Sequence, residues 1–375
     1  MMRVNGTRVL SVLLLSLLLV PSSSTFALPT MIRIGYNNCA ACHVTPQGGG
    51  LLTPYGKGID TAQSLQRREI TPPGEPRRSL YDVRFVLGAS RLQSDVAANS
   101  MTSSNVRMQL RNMVMLSSHT AVSYQAGMDT AVSKKSAGNA GTADFVVSKA
   151  LFEYRPKEGV AFQVGRDALP SGLGLPDPQT FWRKQNDPLG TAYPFQAKAF
   201  FWASHLELTP YAFGPGFDET DPSARQHGGG VVGGVDVWKQ RAVIGMTARR
   251  SESPAFNRRS VGAYARLGFG RWGILGEHDM TSRVDRMSVA APSEYVAGFT
   301  QFFVAPREWF VTSLLVDDVV TSGPTSKHQY RLAPSAQMRI SDNVTFVLST
   351  RDEFINGLTS SSRTYSVTVA VKSAQ

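Results

Sequence analysis

Cysteine is almost absent from this 375-residue chain: Cys39 and Cys42 are its only two. Disulfides elsewhere are therefore excluded. Charge is sparse as well. Asp, Glu, Lys and Arg make up 18% of the residues, against about a quarter in an ordinary soluble protein. After the first 27 positions no run of about 18 apolar residues occurs, so no transmembrane helix is expected. Nucleophile–base triads, phosphate loops and metalloprotease motifs are missing too. The runs Gly48-Gly49-Gly50 and Gly228-Gly229-Gly230 are not followed by Lys-Ser or Lys-Thr, and both read as turns. No nucleic-acid partner is expected, and a carrier or conduit fits better than a metabolic enzyme.

What is present begins with an export signal. Arg3 and Arg8 form a basic start, and Val9 to Val20 is apolar apart from Ser11 and Ser16. Thr25-Phe26-Ala27 resembles a small-x-Ala cleavage site. Residues 1–27 are thus read as a signal peptide and left out of fold reasoning. Export places both cysteines in an oxidising compartment.

Residues 28–79 form a short second segment. It ends in Thr71-Pro72-Pro73-Gly74-Glu75-Pro76, which reads as a linker. Its Cys39-Ala40-Ala41-Cys42-His43 is the attachment signature for a c-type haem. Each thiol adds to one vinyl group, and His43 reaches the iron as proximal ligand. A redox Cys-x-x-Cys would sit in a βαβ context, which is absent. A zinc site needs four ligands, and neither a further cysteine nor a nearby histidine is at hand. One haem c is therefore expected. About 50 residues is little material to cover a haem on both faces, so the rest of the chain must help.

From Leu80 to the end, residues 80–375, period-two alternation dominates. Tyr81, Val83, Phe85 and Leu87 alternate with Asp82, Arg84, Val86 and Gly88. Tyr365, Val367, Val369 and Val371 alternate with Ser366, Thr368, Ala370 and Lys372. The pattern predicts about 16 strands, beginning near 80–91, 105–117, 120–133 and 144–154 and ending near 363–373. Every second connection is short, as at Ser117-Ser118-His119, Ser204-His205 and Phe269-Gly270. The others are longer, and the longest runs from about Asp167 to Phe195. Short turns at one end and long loops at the other predict an all-β, antiparallel outer-membrane barrel with both termini on the periplasmic side.

Such a barrel turns its apolar residues to lipid and its polar ones inward. The inward set would include Arg84, Arg107, Arg111, Lys149, Arg266, Arg331, Arg339 and Arg351, a basic lumen. His278 and His328 share faces with apolar residues and are expected at the lipid face or rim. His227 is expected in a loop at the far end. Candidates for the sixth iron ligand are Met31 within the haem segment, Met113 and Met115 on the inward face, and His119 and His205 in periplasmic turns. A vacant sixth position would favour ligand binding. The long loop, with Phe181-Trp182-Arg183-Lys184 and Tyr193-Pro194-Phe195, is expected to constrict the pore, cap its mouth or lie on the surface.

A signal peptide, one Cys39-x-x-Cys42-His43 motif and then a porin-length β region resembles the outer-membrane monohaem cytochrome–porin fusions of iron-oxidising bacteria. The resemblance implies a Gram-negative outer-membrane location, with the haem segment on the periplasmic side or in the lumen. It implies electron transfer between an extracellular donor, such as Fe(II), and periplasmic electron carriers. Only Cys39, Cys42 and His43 carry over by motif. The competing expectation is an anion-permeable porin gated or docked by its haem-bearing N-terminal segment. A soluble haem protein built on a β-sandwich is a third.

Overall fold

Alternation of apolar and polar side chains produces the expected architecture. The structure is a computed structural model that describes residues 30–34, 36, 42–43, 51–66, 79–94, 101–129, 144–173, 180, 193–203, 205–216, 225–238, 241–286, 292–322, 327–341, 343–355 and 362–372. The expected signal peptide, the linker, Cys39 and Phe181 to Lys184 lie outside those residues. The strands are β1 (Ser79–Ser94), β2 (Met101–Met115), β3 (Thr120–Asp129), β4 (Asp144–Lys157), β5 (Val160–Arg166), β6 (Phe195–Trp202), β7 (Leu206–Gly214) and β8 (His227–Asp236). They continue with β9 (Ala242–Glu252), β10 (Phe256–Phe269), β11 (Trp272–Asp285), β12 (Ser293–Arg307), β13 (Phe310–Ser322), β14 (Lys327–Arg339), β15 (Val344–Ile355) and β16 (Ser362–Lys372). Before them stand a 3-10 turn, Thr30–Ile34, and one short helix, α1 (Pro54–Ala62).

Each strand pairs antiparallel with the next, and β1 pairs with β16 through Arg84–Lys372 and Val86–Ala370, closing a barrel. Closure leaves no sheet edge, as a lipid environment demands. Along β1, Tyr81 and Phe85 are 48% and 43% exposed on the outside, while Asp82 and Val86 are 7% and 2% exposed on the inside. An apolar exterior over a polar interior is the arrangement of a membrane barrel. Trp238, Phe269 and Trp272 pack ring against ring at the short-turn end, with centroids 5.2 and 4.6 Å apart. Tyr330 and Phe354 stack at 4.7 Å towards the other end. Aromatic belts of this kind mark the two membrane–water interfaces. No helix among the described residues is long and apolar enough to cross a membrane.

Several strands outrun their expected bounds. β1 extends to Ser94, and β2 begins at Met101. The reason is physical: the backbone ladder continues past the apolar band, through polar residues that carry no alternation signal. Gly228 to Gly230 are a correction, because they lie in β8 rather than in a turn. A Cβ at Gly230 would meet the Tyr211 ring, and one at Gly234 would meet the Tyr264 hydroxyl. These glycines make room for large lumenal rings. His227 opens β8 opposite Glu252 instead of lying in a loop. At the β10–β11 turn, Gly270 has φ +63°, a left-handed conformation that glycine adopts freely.

Candidate functional site

The described part of the N-terminal segment lies in the short-turn mouth of the barrel and touches its wall in three places. The first is at β10–β11. Ile32 is 1% exposed and belongs to a cluster of inward side chains that includes Tyr211, Tyr264, Leu275 and Phe303. The Gly270 amide donates to the Arg33 carbonyl at 2.8 Å, and the Arg33 guanidinium donates to the Gly270 carbonyl at 3.2 Å. The chain runs so close to β10 that a Cβ at Gly268 would meet the Ile32 backbone.

The second contact is on the opposite wall. Leu51 packs with Met113 and Ala121, and Leu80 and Met115 lie against them. These residues belong to β1–β3, and β2 stands diametrically across the ring from β10.

The third is α1, held at β14–β16. Thr53 caps this helix by accepting the Gly56 amide at 3.0 Å, and Pro54 follows at the first helical position. Asp60 then pairs with Arg339 at 3.0 Å and Lys372 at 2.7 Å. Burial works against the Asp60 charge, but Lys372 and Arg339 outweigh it and hold its carboxyl below the usual range. Past the helix, the amides of Leu65 and Gln66 donate to the carbonyls of Arg339 and Ile340, each at 2.9 Å. The segment therefore crosses the lumen from wall to wall.

Two of the residues expected to attach haem, Cys42 and His43, sit inside this crossing. Cys42 is buried. Its carbonyl accepts the Thr53 amide at 2.9 Å, and a Cβ at Gly56 would meet that carbonyl, so α1 lies directly on it. His43 forms an antiparallel bridge with Leu52, the neighbour of Leu51. A thiol, an adjacent imidazole and an apolar wall carrying two thioethers are a donor set that fits a covalently held c-type haem. Cys42 and His43 would hold it together with Cys39.

The sixth-ligand candidates separate clearly. Met113 and Met115 face inward, on the wall where Leu51 docks. The Met31 sulfur accepts a hydrogen bond from Gln63 at 3.3 Å within the segment. His119 is exposed in the β2–β3 turn, 2.8 Å from the Ser118 hydroxyl, and His205 is exposed in the β6–β7 turn, 4.0 Å from Asp236. His278 points outward on β11, 3.8 Å from Asp318, and His328 is exposed beside Tyr330.

The described start of the long loop, residues 167–173, folds inward. The Glu277 carboxylate of β11 accepts the amides of Gly172 and Leu173 at 2.9 and 2.8 Å. Leu169 and Leu173 pack on the same cluster that takes Ile32. At the base of the loop, Asp167 pairs with Lys198 at 2.6 Å and Lys149 at 3.4 Å. Burial opposes the Asp167 charge, and the two lysines outweigh it, so its carboxyl stays below the ordinary range.

The expected basic set shares this interior but is largely neutralised. Arg111 pairs with Asp82, Lys149 with Asp167, Arg266 with Glu207, Arg339 with Asp60, and Arg331 with both Asp317 and Glu353. Arg84, Arg107 and Arg351 line the same wall. The acids were scattered through the sequence without a motif, so their pairing with these cations was not visible there.

No protein-family model and no curated protein matches the sequence. Solved structures do match the fold. OmpT, an outer-membrane protein of Vibrio cholerae in its trimer form, aligns with a TM-score of 0.58 at 9% identity, over 79% of this chain and 100% of that one. The chain has the fold of an outer-membrane porin. An anion-selective porin from Comamonas acidovorans matches this porin-type barrel with a TM-score of 0.55 at 11% identity, over 79% of this chain and 100% of that one. OprB of Pseudomonas putida matches at 0.56 and 8%, over 79% of this chain and 94% of that one.

Proposed function

We propose that this chain is a porin of the Gram-negative outer membrane whose periplasmic mouth is gated by its own N-terminal segment, and that this segment carries one c-type haem on Cys39 and Cys42 with His43 as proximal ligand. The observation that carries the reading is that the described residues of the segment, 30–34, 36, 42–43 and 51–66, dock on walls that face each other across the lumen. When bound, the haem supplies one-electron redox chemistry. The chain's own residues do the rest: Asp60, Ile32 and Leu51 seat the segment, and Glu277 holds the start of the long loop, at Gly172 and Leu173, in the lumen. Small anions are the expected solutes, given a formal net charge of +9 once Arg3 and Arg8 of the expected signal peptide are left out of the chain's +11. The ion pairs along the wall make that selectivity modest.

A second reading, electron transfer between an extracellular donor and periplasmic carriers, is favoured by one observation. Cys42 and His43 lie in the segment docked against the inner wall, not on a free domain below it, and this shortens their distance to the outer face.

The deciding experiment uses the full chain purified in detergent from outer membranes. Haem is stained after denaturation, conductance is recorded in planar bilayers, and both are compared with a variant lacking residues 30–66. Covalent haem, low conductance in the full chain and high anion-selective conductance in the variant are expected. Equal conductance in the two would overturn the gate. A full chain without covalent haem would overturn the cofactor. Haem reduction by Fe(II) added outside intact cells would raise the second reading above the first.

A further inference from the structure

The periplasmic segment and the long loop share one apolar cluster inside the lumen. Ile32 enters it from the N-terminal segment. Leu169 and Leu173 enter it from the loop. The wall supplies Tyr264, Leu275 and Phe303 between them. Tyr264 is the joint. A Cβ at Gly172 would meet its ring, so the loop backbone lies directly on it. Its hydroxyl donates to Glu207 at 2.7 Å, which fixes the ring against the wall. Four residues along β10, Gly268 is pressed by the Ile32 backbone on one side, and next to Tyr264 in the register Glu277 grips the loop amides.

An apolar cluster of this kind is stable because each member covers the others. Withdrawing the loop would expose Ile32 and the Tyr264 ring to water. Withdrawing the segment would expose Leu169 and Leu173. Each departure lowers the cost of the other, which is a coupling free energy between two sites. The loop joins β5 and β6 at the long-loop, extracellular end, and the segment enters at the periplasmic end.

We propose that the start of the β5–β6 loop, residues 167–173, and the described part of the N-terminal segment leave the lumen as one unit, so that an event at the outer mouth opens the inner one. This rests on the gated-porin reading and names how that gate is regulated. It is a property of the chain itself, independent of whether haem is attached.

Two one-methyl variants test it. Gly268→Ala crowds the segment, and Gly172→Ala crowds the loop. Hydrogen–deuterium exchange of the full chain in detergent is followed in peptides spanning 54–66 and 167–173. Ile32→Ala and Glu277→Ala repeat the test by removing a contact instead of adding a clash. Coupling predicts that each variant speeds exchange in both peptides, by about tenfold or more in the distant one. Acceleration confined to the altered segment in all four variants would overturn the proposal. Conductance recorded on the same samples separates it from the gate reading. Joint acceleration with unchanged conductance keeps the coupling and removes the gate. Raised conductance with separate acceleration keeps the gate and removes the coupling.

Discussion

At β10–β11 the N-terminal segment is held by one buried isoleucine and a pair of hydrogen bonds to a glycine turn. At β14–β16 it is held by one carboxylate between two cations and two backbone hydrogen bonds. The two anchors lie on the same segment and serve the same end, yet they respond to different variables. Burial of Ile32 is insensitive to salt and to pH. The Asp60 pairs are partly open to water, weaken with ionic strength and depend on ionisation. A segment fastened in both ways stays in place when either condition alone changes.

The comparison can be broken most severely at Ile32. Ile32→Ala is expected to cost about 2–5 kcal/mol at that anchor. Exchange at the Gly270 amide, which donates to Arg33, should rise steeply and equally in low and high salt. Next comes Asp60→Asn, which removes both ion pairs while keeping the side chain's size. A cost of about 1–3 kcal/mol is expected. The Leu65 and Gln66 amides report it, and addition of about 1 M salt, which shortens screening to about 3 Å, should mimic the variant only in the wild type.

Acid should act at the same place with a smaller effect near neutrality. The docked Asp60 carboxyl lies below its ordinary value. Its contribution is therefore complete above the ordinary carboxylate pKa of about 3.9 and is lost as pH falls through the docked value. Conductance of the wild type should stay flat from about pH 8 to 5 and rise below about 4. The Asp60→Asn variant should show no such step. The smallest effect is expected at the turn itself. Gly270→Ala forces a side chain into a left-handed backbone at a cost of roughly 1 kcal/mol. It should loosen the Arg33 contact slightly and leave the Asp60 anchor untouched, as seen in exchange at Gln66.

Much of the barrel was legible in the chain. Strand positions such as β1 and β16 follow from strict alternation, because a wall between lipid and water imposes a period of two. The short turns at His119, His205 and Gly270 stand where polar and glycine residues interrupt that period. α1 was readable in principle, since Thr53-Pro54 is a helix start, but nine residues with two glycines carry too little periodicity to stand out. The Gly228 run was misread because local turn preference was weighed without the rings of Tyr211 and Tyr264, which come from other strands. Of the proposed haem site, the Cys39 to His43 pentapeptide was legible, and Met113 and Met115 were readable as inward-facing. Their meeting with Leu51, beside the His43–Leu52 bridge, was not.

By itself the sequence determined the alternation, the even strand number, the turn lengths and the Cys39-x-x-Cys42-His43 spacing, because each is encoded by residues close together in the chain. Only the tertiary structure decided what fills the lumen. Asp60 meets Lys372 across most of the chain's length, and Ile32 meets Leu173 and Phe303 in one cluster. No local pattern records those partners. They are chosen by which walls a closed ring of 16 strands brings face to face.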